Sequence, residues 1–149
     1  VVNDNFTAYG VKSHRHTIEI QEIIGKYANS DASVLFTPHL LPVDRGILST
    51  CYTRPTRDIS SEDLNKLYHE YYDNEPFVRV GDDLPNLKQV RGTNYCDLFV
   101  TYDDRTNTII SIGVIDNLVK GAAGQAVQNM NIMLGLEETT GLTITPLQP

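Results

Sequence analysis

The sequence predicts an α+β fold, with a mixed, largely antiparallel sheet and helices packed on one face. Runs rich in β-branched and aromatic residues occur at Ile47–Thr53, Cys96–Tyr102 and Thr108–Ile115. Between them lie stretches with helical apolar spacing. The elements follow the order helix, strands, helix, strands, hairpin, helix. A doubly wound parallel sheet would need regular strand–helix alternation, which is absent. The chain has 149 residues, a single-domain size, with 40% hydrophobic and 21% charged residues. That composition supports a packed core.

The elements can be justified in order. Residues 1–12 are polar with scattered apolar positions and predict no element. Ile20, Ile23, Ile24 and Tyr27 follow the i, i+3, i+4, i+7 stripe of an amphipathic helix. Ser13 or Thr17 can cap its start, and Asn29-Ser30-Asp31 ends it. Ser33–Thr37 reads as a strand. Pro38 and Pro42 then bracket an extended edge segment, His39-Leu40-Leu41. A second helix opens at Ser60-Ser61-Glu62-Asp63, where Ser60 and Asp63 have capping-box spacing. Its expected buried stripe is Leu64, Leu67, Tyr68 and Tyr71. Phe77–Val80 is a short strand, and residues 81–94 read as a loop. The last two strands form a hairpin over Asp103-Asp104-Arg105-Thr106-Asn107. A third helix runs from Val119 to Leu134, with Ala122, Ala123, Ala126, Val127, Met130 and Leu134 expected on one side. Gly135 is its expected C′ residue.

Charge and cysteine usage narrow the function. Twelve Lys and Arg against nineteen Asp and Glu give a net charge of −7, which argues against nucleic acid as a partner. No apolar run reaches membrane-spanning length. Two cysteines, Cys51 and Cys96, are too few for a disulfide framework and fit a reducing compartment. Both lie in expected strands, where buried, unreactive thiols are the commoner case. The chain begins Val1-Val2-Asn3-Asp4, without Met, and reads as a piece of something longer.

The densest polar cluster is His14-Arg15-His16, at a helix start. Imidazole suits proton transfer near neutral pH. Arg15 can hold a carboxylate or phosphate, and Glu19 lies close enough to orient the His16 ring. The competing reading is a solvated helix start with incidental histidines. A metal set of His14, His16 and His39 or Glu19 lacks any diagnostic spacing, so no metal is expected. Arg45, beside a proline-rich turn, is either an anion ligand or a salt-bridge partner of Asp44 or another acid. His69 reads as a surface residue. In Asp116-Asn117-Leu118-Val119-Lys120-Gly121-Ala122-Ala123-Gly124, a strand end meets an Asx cap and a glycine-bearing first turn. Free backbone N–H groups there suit a phosphate or carboxamide. Close helix–sheet packing explains the glycines equally well.

Four blocks, in order, carry a resemblance. They are His14-Arg15-His16-Thr17-Ile18-Glu19-Ile20, Phe36-Thr37-Pro38-His39-Leu40-Leu41-Pro42-Val43-Asp44-Arg45-Gly46-Ile47-Leu48, Gly92-Thr93-Asn94-Tyr95-Cys96-Asp97, and the run from Ile115 to Asn131. With them the chain resembles the N-acetyl-gamma-glutamyl-phosphate reductases of arginine biosynthesis. One departure is Ile18, where the family usually has Pro; a helix first turn tolerates either.

The resemblance implies a fold like the C-terminal domain of glyceraldehyde-3-phosphate dehydrogenase and aspartate-semialdehyde dehydrogenase. It implies a cysteine thiolate that displaces phosphate from N-acetylglutamyl 5-phosphate, leaving a thioester that NADPH reduces to the semialdehyde. His14 matches the acid–base histidine, with His16 second. Arg15, Glu19 and Arg45 would bind substrate, and Asn117 would touch the nicotinamide end of NADP(H). The family's glycine-rich nucleotide loop and its Gly-Cys-Tyr nucleophile have no counterpart in this sequence. Cys51-Tyr52 follows the histidine block and is preceded by Thr50, so it is not that nucleophile, and Cys96 is structural. Residues 1–149 are therefore expected to be a catalytic and dimerisation domain without the Rossmann domain that holds most of the cofactor, inactive alone. The expected partners are the Rossmann domain and further copies of the chain, as a dimer or tetramer, in the cytoplasm, or in the plastid for a plant protein. The alternatives are a non-catalytic dimerisation module, an aspartate-semialdehyde dehydrogenase-like reductase, and a small metallohydrolase built on the histidines.

Overall fold

The computed structural model describes residues 4–146, so the chain start at Val1–Asn3, read above as a truncation, lies outside the described residues. The chain divides between Asp44 and Arg45 into two compact units.

In the first unit, β1 (Thr7–Ala8) pairs antiparallel with β2 (His39–Leu40). The extended segment between prolines is thus an edge strand, as its sequence suggests. Ser33–Thr37 forms no strand. Its β propensity has no neighbouring strand to pair with, and propensity alone does not make a sheet. Helix α1 spans His16–Ala28 and ends on Asn29, which adopts the left-handed conformation at φ 48°. The expected apolar stripe is present but none of its residues is buried; Ile23 and Tyr27 are exposed.

The second unit is built on a four-stranded mixed sheet in the order β3-β6-β5-β4. Strand β3 (Ile47–Thr53) and strand β5 (Cys96–Asp103) flank β6 (Thr108–Ile115), both antiparallel to it, and β4 (Val78–Val80) joins β5 in parallel. Helix α2 (Ser61–Tyr72) starts with the full capping box between Ser60 and Asp63. Tyr68 Oη donates to Ser111 Oγ across the sheet surface. This places α2 on the face that carries Cys51, Ser111 and Val100. Its inward residues are Leu64, Tyr68 and Tyr72, whereas the expected Leu67 and Tyr71 are exposed. Within the expected loop 81–94 lies one helical turn, α3 (Leu87–Val90), capped by Asn86.

The opposite face, with Leu48, Tyr52, Phe99, Ile110 and Ile112, is only partly covered. Every residue of β3 is exposed, Tyr52 to 69%. Cys51 is therefore an exposed edge-strand thiol, not the buried one expected. Cys96 is half-buried, and burial pushes its thiol pKa up.

The third helix departs from its sequence reading in an informative way. Residues Val119–Ala123 form a π-helical turn, and only then does α4 (Gly124–Met133) begin. The N–H groups of Gly121, Ala123 and Gly124 bond carbonyls five residues back, at Asp116, Leu118 and Val119. The wide turn takes up one extra residue, so each later residue sits about 100° behind its place in an uninterrupted α-helix. The expected inward residues Ala123, Ala126 and Met130 therefore face solvent, and Gly124, Gln128 and Asn131 are buried instead. Leu134 is exposed as well. The helix stops as expected at Gly135, φ 68°, where Leu136 N–H bonds Asn131 O and Gly135 N–H bonds Ile132 O.

Candidate active-site residues

The histidine cluster lies in the first unit. Arg15 occupies the N-cap position of α1 without a capping side chain. Neither Ser13 nor Thr17 caps the helix; the backbone N–H of His16 donates to His14 Nδ1 at 3.2 Å. An imidazole ring thus satisfies one of the helix's orphan N–H groups. The neutral ring then carries its proton on Nε2. Tyr9 and Phe36 pack edge-on against His14 at 5.4 and 5.3 Å, and the His16 ring sits 4.7 Å away. Those contacts hold the His14 plane. His16 Nε2 lies 3.9 Å from Glu19 Oε2, with both side chains largely solvated, so Glu19 orients His16 only loosely. Arg15 is exposed. His39 stacks on Phe6 at 5.0 Å and its Nδ1 lies 3.1 Å from Thr37 O. Among the described residues no group of three or more His, Cys, Asp or Glu is placed to hold a metal ion.

The second unit gathers Arg45 and Asn117 at the end of β6. Asp116 is 1% exposed. Its Oδ1 accepts the N–H groups of Leu118 and Val119 at 2.8 and 3.1 Å, the Asx cap read from the sequence. Its Oδ2 accepts the Gly92 N–H at 2.6 Å and lies 2.9 Å from Arg45 Nε. Burial alone would raise this carboxyl's pKa; the three amides and the guanidinium outweigh it and hold the pKa below the usual carboxylate range. Arg45 is thus the salt-bridge partner of an acid, and that acid is Asp116. Asn117 Oδ1 accepts the Gly46 N–H at 2.6 Å. A backbone N–H can only donate, so this bond fixes the amide with Nδ2 on its other side.

A polar network that no local sequence pattern announces lies around Gln128 of α4. Gln128 Oε1 accepts from Asn94 Nδ2 at 2.9 Å and from Lys120 Nζ at 2.8 Å. Gln128 Nε2 donates to Glu138 Oε1. Burial pushes the Lys120 pKa below its ordinary value, while the neighbouring Cys96, Glu138 and Glu75 oppose that shift. His69 is a surface residue, paired with Asp73 at 2.9 Å. Asp116, the residue that gathers this part of the chain, was legible only as a cap. Its partner Arg45 lies far off in sequence and no local pattern links them.

Residues 1–117 match the family described as "Semialdehyde dehydrogenase, dimerisation domain". The chain is 53% identical to an N-acetyl-gamma-glutamyl-phosphate reductase of Citrifermentans bemidjiense, over 99% of this chain and 44% of that protein. It is 53% identical to one of Pelotomaculum thermopropionicum, over 99% of this chain and 43% of that protein. For one of Bacillus subtilis the identity is 49%, over 99% of this chain and 44% of that protein. The chain thus spans less than half the length of these relatives. Its fold is similar to the crystal structure of aspartate semialdehyde dehydrogenase II from Vibrio cholerae, with a TM-score of 0.64 at 20% identity, covering 81% of this chain and 37% of that one. The α+β class expected from the sequence is therefore the observed one, and the chain belongs to the semialdehyde dehydrogenase dimerisation-domain family.

Proposed function

We propose that this chain is the catalytic and dimerisation portion of an NADPH-dependent N-acetyl-gamma-glutamyl-phosphate reductase, working in the cytoplasm. The observation that carries this reading is 53% identity to such a reductase along 99% of the chain. In this reading the nucleophilic cysteine and the loop that holds the dinucleotide phosphates belong to another part of the reductase. NADPH supplies hydride when bound. His14 offers a proton at Nε2 to the oxygen that gains charge at the reacting carbonyl, its Nδ1 being engaged by the α1 backbone. His16 stands second, as a neighbouring ring able to exchange protons. Arg15, Glu19 and Arg45 support or bind the anionic substrate, and Asn117 Nδ2 meets the nicotinamide carboxamide.

A second copy completes the assembly. The exposed edge strand β3 and its apolar neighbours support this, since an uncovered strand with Leu48 and Tyr52 on one face suits an isologous contact. The aspartate-semialdehyde dehydrogenase alternative rests on fold likeness at 20% identity, and the reductase reading has the closer sequences.

The test is turnover of N-acetylglutamyl 5-phosphate with NADPH by the complete protein. The 149-residue chain alone is expected to be inactive. Preference for aspartyl phosphate would establish the alternative, and turnover by the chain alone would refute the division of labour.

A further inference from the structure

Arg45 is held from two sides. Asn117 Oδ1 takes the N–H of the next residue, Gly46, and fixes the backbone. Asp116 Oδ2 lies 2.9 Å from Nε, a buried ion pair without hydrogen-bond alignment, and draws the side chain toward it by charge. The carboxylate is not devoted to Arg45, because Gly92, Leu118 and Val119 also donate to it. Charge shared among three amides neutralises a guanidinium less completely than a dedicated pair would. The guanidinium has a second edge, formed by its two Nη atoms. Among the described residues these make no hydrogen bond, and the side chain keeps 23% of its surface exposed. Two parallel N–H groups on such an edge match two oxygens of one carboxylate or phosphate. A guanidinium that is already oriented loses little rotamer freedom on binding.

The geometry points to Asp116 as a positioning residue. With Asn117 it aims the free edge of Arg45 at an oxyanion of the substrate, either the phosphate or the carboxylate. This deepens the reductase reading and rests on it for the identity of the substrate.

The test is steady-state kinetics of the complete reductase carrying Arg45→Lys, Asp116→Asn, or both. Lysine keeps the charge but cannot serve Asp116 and an anion at once. Each single variant is expected to raise KM by about tenfold, the size of one lost charge-assisted bond, with kcat little changed. The double variant should be no worse than Arg45→Lys, because Asp116 acts through Arg45. Additive losses, or an unchanged KM in Arg45→Lys, would overturn the inference. Should Asp116→Asn fail to fold, Asp116→Glu, which keeps the charge but displaces the carboxylate, takes its place with the same expected coupling. Inhibition by inorganic phosphate and by N-acetylglutamate identifies the group held, as the inhibitor weakened in Arg45→Lys; if neither is weakened, the inference falls. Calorimetric binding of both probes separates the two claims. Arg45-dependent binding without turnover sinks the reductase reading alone, whereas turnover without coupling sinks the positioning role alone.

Discussion

His14 Nδ1 accepts the backbone N–H of His16, and this bond sets which nitrogen of the neutral ring carries the proton. The neutral ring should populate the Nε2–H tautomer, which nitrogen NMR of the complete protein reads directly. A ring protonated on Nδ1 instead would contradict the structure. In the complete reductase, His14→Asn should lower kcat by roughly 100- to 10,000-fold, the scale of a general acid–base contribution. An unchanged kcat would remove His14 from the mechanism.

Asp116 should make stability depend on acidity. Its pKa is held down in the folded state. The resulting stabilisation is complete above the unfolded carboxylate value near about 4, and is lost as pH falls through the lower folded value. Asp116→Asn should cost about 3 kcal/mol at neutral pH, as expected when one charge of a buried pair is removed. It should also flatten the acid limb. Urea midpoints measured across pH check both; an equally steep acid limb in the variant would assign it to other carboxyls.

Gly46 has φ 116°, and a Cβ there would stand 2.7 Å from Leu87 Cδ2. Gly46→Ala should therefore cost about 1–3 kcal/mol for the backbone conformation, with steric strain in addition. Gly135 has φ 68° and open space around it, so Gly135→Ala should cost only about 1–2 kcal/mol. Denaturant unfolding of both variants should rank them in that order, and the reverse order would count against the Leu87 contact.

Self-association through β3 predicts that Leu48→Glu together with Tyr52→Glu yields monomers in sedimentation. Both side chains are exposed, so the protomer's own fold should persist. A complete wild-type protein that stays monomeric at high concentration would refute the assembly.

Local signals in this sequence were reliable where local physics decides the outcome. Thr108–Ile115 is the strand its β-branched residues predict, and Ser60 with Asp63 forms the box its spacing predicts. The failures have physical causes. Ser33–Thr37 lacks a partner strand. The Ile23–Tyr27 stripe forms its helix, yet pattern does not say what covers it. The α4 stripe was read with uninterrupted 3.6-residue periodicity, and the π-helical turn broke that phase. The histidines were found from side-chain chemistry, but His14's capping bond was not, because Ser13 and Thr17 are the usual caps. The Arg45–Asp116 pair joins β3 to the end of β6, and only the fold brings them together.

The wide turn at Val119–Ala123 lodges one residue more than a regular helix would. Removing one residue from it would let regular α-helix run through with Gly124, Gln128 and Asn131 still on the buried side. Removing one residue inside α4, between Gly124 and Gln128, would instead turn every later position by about 100° and carry the Gln128 and Asn131 amides out to water. Functional variants should thus tolerate a one-residue deletion in the wide turn better than one in the regular helix that follows it.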